Sequence, residues 1–180
     1  MPSILTHAAV PLALWAASER GRISPRLLAA GIVAAMLPDA DVLAFVLRIP
    51  YADAFGHRGA SHSLLFAALC ALLAASLHRP LRAGALQAGA WVFICAASHP
   101  LLDAMTSGGL GVALAWPWRE TRFFAPWRPI LVSPIGAGFF SARGLGTLLS
   151  ELRWVWLPLA LAVVGWRAIQ STPRGSTHLQ

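Results

Sequence analysis

The sequence predicts an all-α fold: a multi-spanning membrane bundle of about four to five transmembrane helices, with an irregular, aromatic-rich interfacial loop. Three observations carry this. The 180 residues are 57% hydrophobic and 12% charged, against about 25% charged in an ordinary soluble domain. Mean hydropathy is +0.64. The apolar residues gather into runs approaching the roughly 20 residues that cross a bilayer.

Five apolar segments follow in order. The first spans 4–17, is short, and precedes SERGRISPR. The second, 27–47, is bounded by Arg26 and Arg48. The third, 63–77, ends at HRPLR, with Ser61 a candidate cap for a helix opening at His62. The fourth, 83–105, holds Pro100, which could open a new helix with Ser98 or His99 near its cap. The fifth, 154–166, leads to a polar tail. The short segments can lean on neighbours or extend into their flanks. Residues 1–170 read as one integral membrane domain and 171–180 as a flexible tail. Between 106 and 153 Gly and Pro recur, so long regular elements are not expected. Trp, Phe and Arg are frequent there and suit the headgroup layer, so 106–153 reads as an interfacial loop or lid.

Net charge is +7, and every basic residue is Arg. The arginines are scattered between apolar runs, as loop arginines flanking spans are. Membrane lipids are therefore the expected partners, and no direct nucleic-acid binding is expected. Cys70 and Cys95 fall inside apolar runs and read as small buried hydrophobes. The N-terminus has no basic stretch before its apolar run, so no cleaved signal peptide is expected.

The titratable residues are less scattered. With alternating segments, the start of the first, the end of the second, the start of the third and the end of the fourth share one leaflet. His7, Asp39, Asp41, His57, His62, His99 and Asp103 then converge there. Each has an ordinary explanation alone, such as a turn aspartate or a packed histidine. Seven on one face do not, and ionisable groups inside a membrane are functional suspects.

Imidazole with carboxylate is the ligand set of Zn, Fe or Mn centres. One catalytic ion takes about three protein ligands, so seven donors suit one or two divalent ions, with Zn favoured and Mn or Fe as alternatives. Asp39 or Asp41 is the natural bridge between ions about 4 Å apart. His57 and His62 would point about 140° apart on one helix, so they are expected to straddle a loop and a helix start. Arg58 is a candidate anion clamp, since its planar fork suits phosphate; a topology-setting loop arginine is the alternative. Arg58 and Asp41 are thus the candidate catalytic residues. There is no Gly-x-Ser-x-Gly elbow and no P-loop.

The ordered motifs Thr6-His7, LPDADVL, HRGASHS and SHPLLDAMTSGG resemble the YdjM-like family of membrane-bound metal-dependent hydrolases over roughly residues 1–140, with no departure at the motif positions. The WPW and later PW segments resemble it too. The resemblance implies a multi-spanning bacterial inner-membrane protein and a metal-dependent hydrolase. The His-x-x-x-Asp element is also similar, more loosely, to zinc-dependent phospholipase C enzymes.

The expected function is hydrolysis of an ester or phosphoester on an amphiphilic, lipid-like substrate by metal-activated water. The alternative is a metal-ion transporter, or a metal-binding membrane protein without hydrolase activity. A transporter should place ligands near the midplane with a path to both faces, which the one-sided clustering does not suggest. Arginines near short loops on the opposite side place that side in the cytoplasm and the site outside.

Overall fold

Ser24 opens the first long helix as its sequence dictates. Its hydroxyl accepts from Leu27 N at 3.1 Å, and Pro25 takes the first helical position, where a missing N–H costs nothing. In this computed structural model, which describes residues 1–134 and 136–171, the helices are α1 (Ile4–His7), α2 (Ala9–Ala17), α3 (Pro25–Met36), α4 (Leu43–Val46), α5 (Leu64–Ser76), α6 (Ala85–Ala104), α7 (Ala142–Glu151) and α8 (Leu157–Ser171). Short 3₁₀ turns cover Leu37–Val42, Ala60–His62 and Gly136–Phe140. A π-helical turn, Leu152–Trp156, joins α7 to α8.

Three stretches are long and apolar enough to cross a membrane: Pro25–Val46, Ala85–Ala104 and Ala142–Ser171. Ile4–Ala17 and Leu64–Ser76 are shorter apolar helices. The bundle is all-helical, with only two isolated bridges among the described residues, Thr106 to Ile130 and Val112 to Phe123. α6 packs between α5 and α3, and α2 lies against α8. The core is built from small residues, among them Ala34, Ala35, Ala88, Cys95 and Ala96, around Trp91. Small side chains let membrane helices approach closely. Gly31 shows how closely: a Cβ there would lie 2.3 Å from Trp91 Nε1.

Three expectations change. The last helix begins at 142, not 154. Ser141 caps it, accepting from Gly144 N at 3.4 Å, and Gly144, Thr147 and Glu151 form a buried stripe at helical spacing. Gly144 is no breaker there, because a Cβ would lie 1.8 Å from the Phe139 carbonyl oxygen. Pro100 starts no new helix; α6 runs through it. Ser63, not Ser61, caps α5, accepting from Phe66 N at 3.1 Å. The tail expected over 171–180 lies, from 172 onward, outside the described residues.

Residues 106–134 form a stitched cover, not a free loop. Ala125 N bonds Ala104 O at 2.8 Å, Ser107 N bonds Ile130 O at 2.9 Å, and Ser133 N bonds Met1 O at 3.0 Å. The first and third of these bonds tie the segment to the end of α6 and to the N-terminus, and the second closes it on itself.

Candidate metal centre

The unbroken course of α6 puts His99 and Asp103 one turn apart on one buried face. The 3₁₀ turn after α3 separates the two aspartates of LPDAD. At three residues per turn, positions two apart point about 120° from each other. Asp39 therefore turns inward toward α6, while Asp41 turns toward the 57–62 loop. His62 closes the Ala60–His62 turn and enters from that loop.

Asp39, His62, His99 and Asp103 each offer one ligand atom, and these atoms all lie within 4.8 Å of one another. The two Nε2 atoms of His62 and His99 are 3.0 Å apart. Asp103 Oδ2 lies 3.3 Å from His62 Nε2, and Asp39 Oδ1 lies 3.5 Å from His99 Nε2. His7 stands beside them. Its ring stacks on His99 at 3.7 Å, and its Nε2 is 3.6 Å from Asp103 and 3.7 Å from Asp39.

The donor set fits a cation. Both ring nitrogens of His7 and both oxygens of Asp39 and of Asp103 are buried without a hydrogen bond. An unsatisfied buried polar group costs about 1–3 kcal/mol, more when charged, and a cation among these atoms would relieve several at once. The outer nitrogens also have the partners that metal-binding histidines usually have. His99 Nδ1 is 2.7 Å from the Ala35 carbonyl oxygen, and His62 Nδ1 is 3.1 Å from Asp41 Oδ2. Burial disfavours a charged His62, yet the Asp103 and Asp41 carboxylates together outweigh it and push its pKa up to about 9. A proton on His62 and a cation in the group are alternative sources of the same positive charge.

The seven expected donors therefore sort into layers. Four converge and His7 flanks them. Asp41 and His57 sit outside, paired at 2.5 Å from Oδ1 to Nδ1. Of the two expected bridge candidates, Asp39 lies in the converging group and Asp41 beside it, against His62. Asp41 Oδ2 also accepts from Arg58 N at 2.9 Å and Ser61 Oγ at 2.7 Å. His57 does arrive on the loop and His62 at a helix entrance, as their spacing suggested.

Arg58 is fully buried. Its Nε is 3.0 Å from Asp103 Oδ2, and its terminal nitrogens donate to Gly108 O at 3.0 Å and Thr106 Oγ1 at 2.9 Å. Arg58 lies on the loop before α5, and all three of its side-chain nitrogens face protein. Its backbone is left-handed, at φ 61°, which is uncommon for a residue with a side chain. Gly59 must follow it without a Cβ, because one would lie 2.2 Å from Ala54 O.

Three supporting residues escaped the sequence reading. Ser61 bonds Asp41, and Thr106 holds Arg58. Arg122 donates to the carbonyls of His57, Tyr51 and Asp53 at 2.9, 3.0 and 2.9 Å. The first two lie inside the motifs HRGASHS and SHPLLDAMTSGG, which was the one signal that could have marked them. Nothing in the sequence tied Arg122 to a loop 65 residues earlier.

Comparison with known proteins agrees with this architecture. A family model described as YdjM inner membrane protein matches residues 1–173, well past the point near 140 where motif resemblance ends. The Escherichia coli (strain K12) inner membrane protein YbcI is 46% identical over 171 residues, covering 93% of this chain and 99% of that protein. No solved structure matches the chain.

Proposed function

From the premise that the chain belongs to the YdjM inner membrane protein family, we propose that it is a membrane-embedded, metal-dependent hydrolase acting on an ester or phosphoester of an amphiphilic substrate. The observation that carries the reading is the buried group Asp39, His62, His99 and Asp103 with its unsatisfied oxygens. These four residues would hold the ion, with His7 at their flank. Zinc is favoured by the mixed His and Asp donors, with Mn or Fe as alternatives. A divalent cation supplies Lewis acidity, making water a competent nucleophile near neutral pH and offsetting charge that grows on the ester oxygen.

The protein's own groups prepare the site. Asp41 fixes the His62 ring, Ala35 fixes the His99 ring, and Arg58 balances Asp103. The covering segment holds Arg58 in place through Thr106 and Gly108. The lipid-like substrate is supported by surroundings. An apolar cavity of about 370 Å³ lies beside α1 and the Asp39–Asp41 turn, lined by Met1, Ile4, Leu5, Val42, Pro134 and Phe139. Trp118 on the covering segment and Phe140 in the following 3₁₀ turn are exposed and suit the headgroup layer.

The site end is assigned to the periplasm. Arg20, Arg22, Arg26, Arg79 and Arg82 border the short loops at the other end, as cytoplasmic loops do. Arg167, near the end of α8, bonds Ala16 O and Ser18 O at that same end. A fluorescent protein fused after Gln180 should therefore fold and fluoresce in the cytoplasm; a dark fusion that is present in the membrane reverses the assignment.

One observation favours a second reading, metal binding without hydrolysis: His62, His99 and Asp103 are fully buried, and closed four-donor sites are commonly structural. Elemental analysis of the purified protein, followed by a screen of phosphoesters and lipid esters, separates the two. Metal with turnover, both lost in H99A, supports the hydrolase. Metal without turnover supports the second reading. Turnover that survives loss of the metal sinks the metal-dependent mechanism.

A further inference from the structure

Glu151 is a carboxylate sealed inside the bundle that the metal centre does not use. It is 1% exposed and ends α7, in a stretch that continues LRWVWLPLALAVV. Buried carboxylates need donors, and those of Glu151 come from the far end of the chain. One oxygen accepts from Ser3 N; the other accepts from Ser3 Oγ at 2.6 Å and Thr6 Oγ1 at 2.8 Å. Trp156 Nε1 donates to the same Thr6 oxygen at 2.9 Å. Thr6 is fully buried and directly precedes His7.

His7 lies in the first turn of its helix, which has few polar anchors of its own. α1 runs through Ala8 directly into α2, so that Ile4–Ala17 is one apolar helix, and the Ser3 side chain makes no capping bond to its first turn. Within that turn His7 stacks on His99, and the described hydrogen bonds to the turn's side chains come from Glu151 and Trp156.

The π-helical turn explains how one hydroxyl can meet both. Residues i and i+5 of an α-helix point about 140° apart. The i-to-i+5 repeat of a π turn brings them onto one face. Leu152–Trp156 is π-helical, so the turn occupies the interval between Glu151 and Trp156. Such turns concentrate at functional sites.

We propose that Glu151 and Trp156, aligned by this π turn, form a clasp on Thr6 that positions His7 in the metal centre. Both are positioning residues. The proposal rests on the metal-centre reading only for the purpose of His7; the clasp itself can be tested without an ion.

The experiment labels histidines with diethyl pyrocarbonate in the full-length protein in detergent, maps them by mass spectrometry, and measures zinc affinity by chelator competition. In the wild type His7 should resist labelling. E151A and T6V should expose His7 while His99 stays protected, and should weaken zinc binding roughly ten- to hundredfold, the usual effect of losing a supporting contact. T6S, which keeps the hydroxyl, should behave as the wild type. If E151A labels His99 as well, its fold is lost, and T6V and W156F decide the matter. Protection of His7 in T6V equal to that in the wild type overturns the clasp, as does T6S labelling like T6V. A wild type that takes up no zinc sinks the metal-centre reading, while the labelling pattern still decides the clasp.

Discussion

Arg58 Nε and Asp103 Oδ2 meet at 3.0 Å with neither side chain reaching solvent. Removing one partner of such a pair leaves an uncompensated buried charge, at a cost of about 3–5 kcal/mol. R58M should lower stability by that amount, read as a reduced thermal midpoint in chelator-treated protein. D103N in the R58M background should recover part of the loss, because it removes the charge that was stranded. Equal stability of R58M and the wild type would mean that Asp103 is balanced elsewhere.

Asp41 and His99 are expected to fail differently. His99 belongs to the converging group, whereas Asp41 reaches it through the His62 ring and the Arg58 backbone. H99A should abolish stoichiometric zinc. D41N should keep the site but weaken it about 10- to 100-fold, as loss of an orienting partner does. Chelator competition on both variants decides this. Complete loss in D41N would make Asp41 a ligand, restoring the bridging role that the Asp-x-Asp spacing suggested.

Removing the cation should itself destabilise the protein. His7, Asp39 and Asp103 would be left with buried, unsatisfied atoms, and a ligand at a thousand times its Kd stabilises by about 4.1 kcal/mol. Chelation should therefore lower the thermal midpoint of the wild type and leave that of H99A unchanged. An equal response in both would show that the chelator acts away from this site.

These contrasts show what the sequence could and could not disclose. That His7, Asp39, His62, His99 and Asp103 gather was legible, because alternating apolar segments fix which ends share a leaflet. Their division into layers was not. It depends on a 3₁₀ turn at Leu37–Val42, and an Asp-x-Asp pair reads alike on any backbone. Arg58 looked like a clamp because its partners, Thr106 and Gly108, lie 48 and 50 residues on, and their shared motif SHPLLDAMTSGG does not say what those two residues touch. The helix at Ala142–Glu151 hid behind Gly144 and Gly146, which read as breakers. Gly144 in fact permits the contact with Phe139. Glu151 was a lone acidic residue beside an apolar helix, a signal that intramembrane charge deserves, but its partners at Ser3 and Thr6 required the tertiary fold.

Gly108 and Gly109 provide a matched pair for the cover over the site. Gly109 has φ +90°, and a Cβ there would lie 2.7 Å from an Arg58 terminal nitrogen and 2.8 Å from the Tyr51 hydroxyl oxygen. G109A must therefore strain the backbone by about 1–2 kcal/mol and also push Arg58 from its place against Asp103. Gly108 has no such φ, and its Cβ would make ordinary contact with Val132 at 3.7 Å. G108A should thus leave thermal stability and zinc stoichiometry near wild type, while G109A lowers the first and weakens zinc binding. Zinc affinity is the sharper measurement, because strain alone would lower stability without reaching the ligands. Wild-type zinc affinity in a folded but less stable G109A would show that Arg58 can yield without moving Asp103.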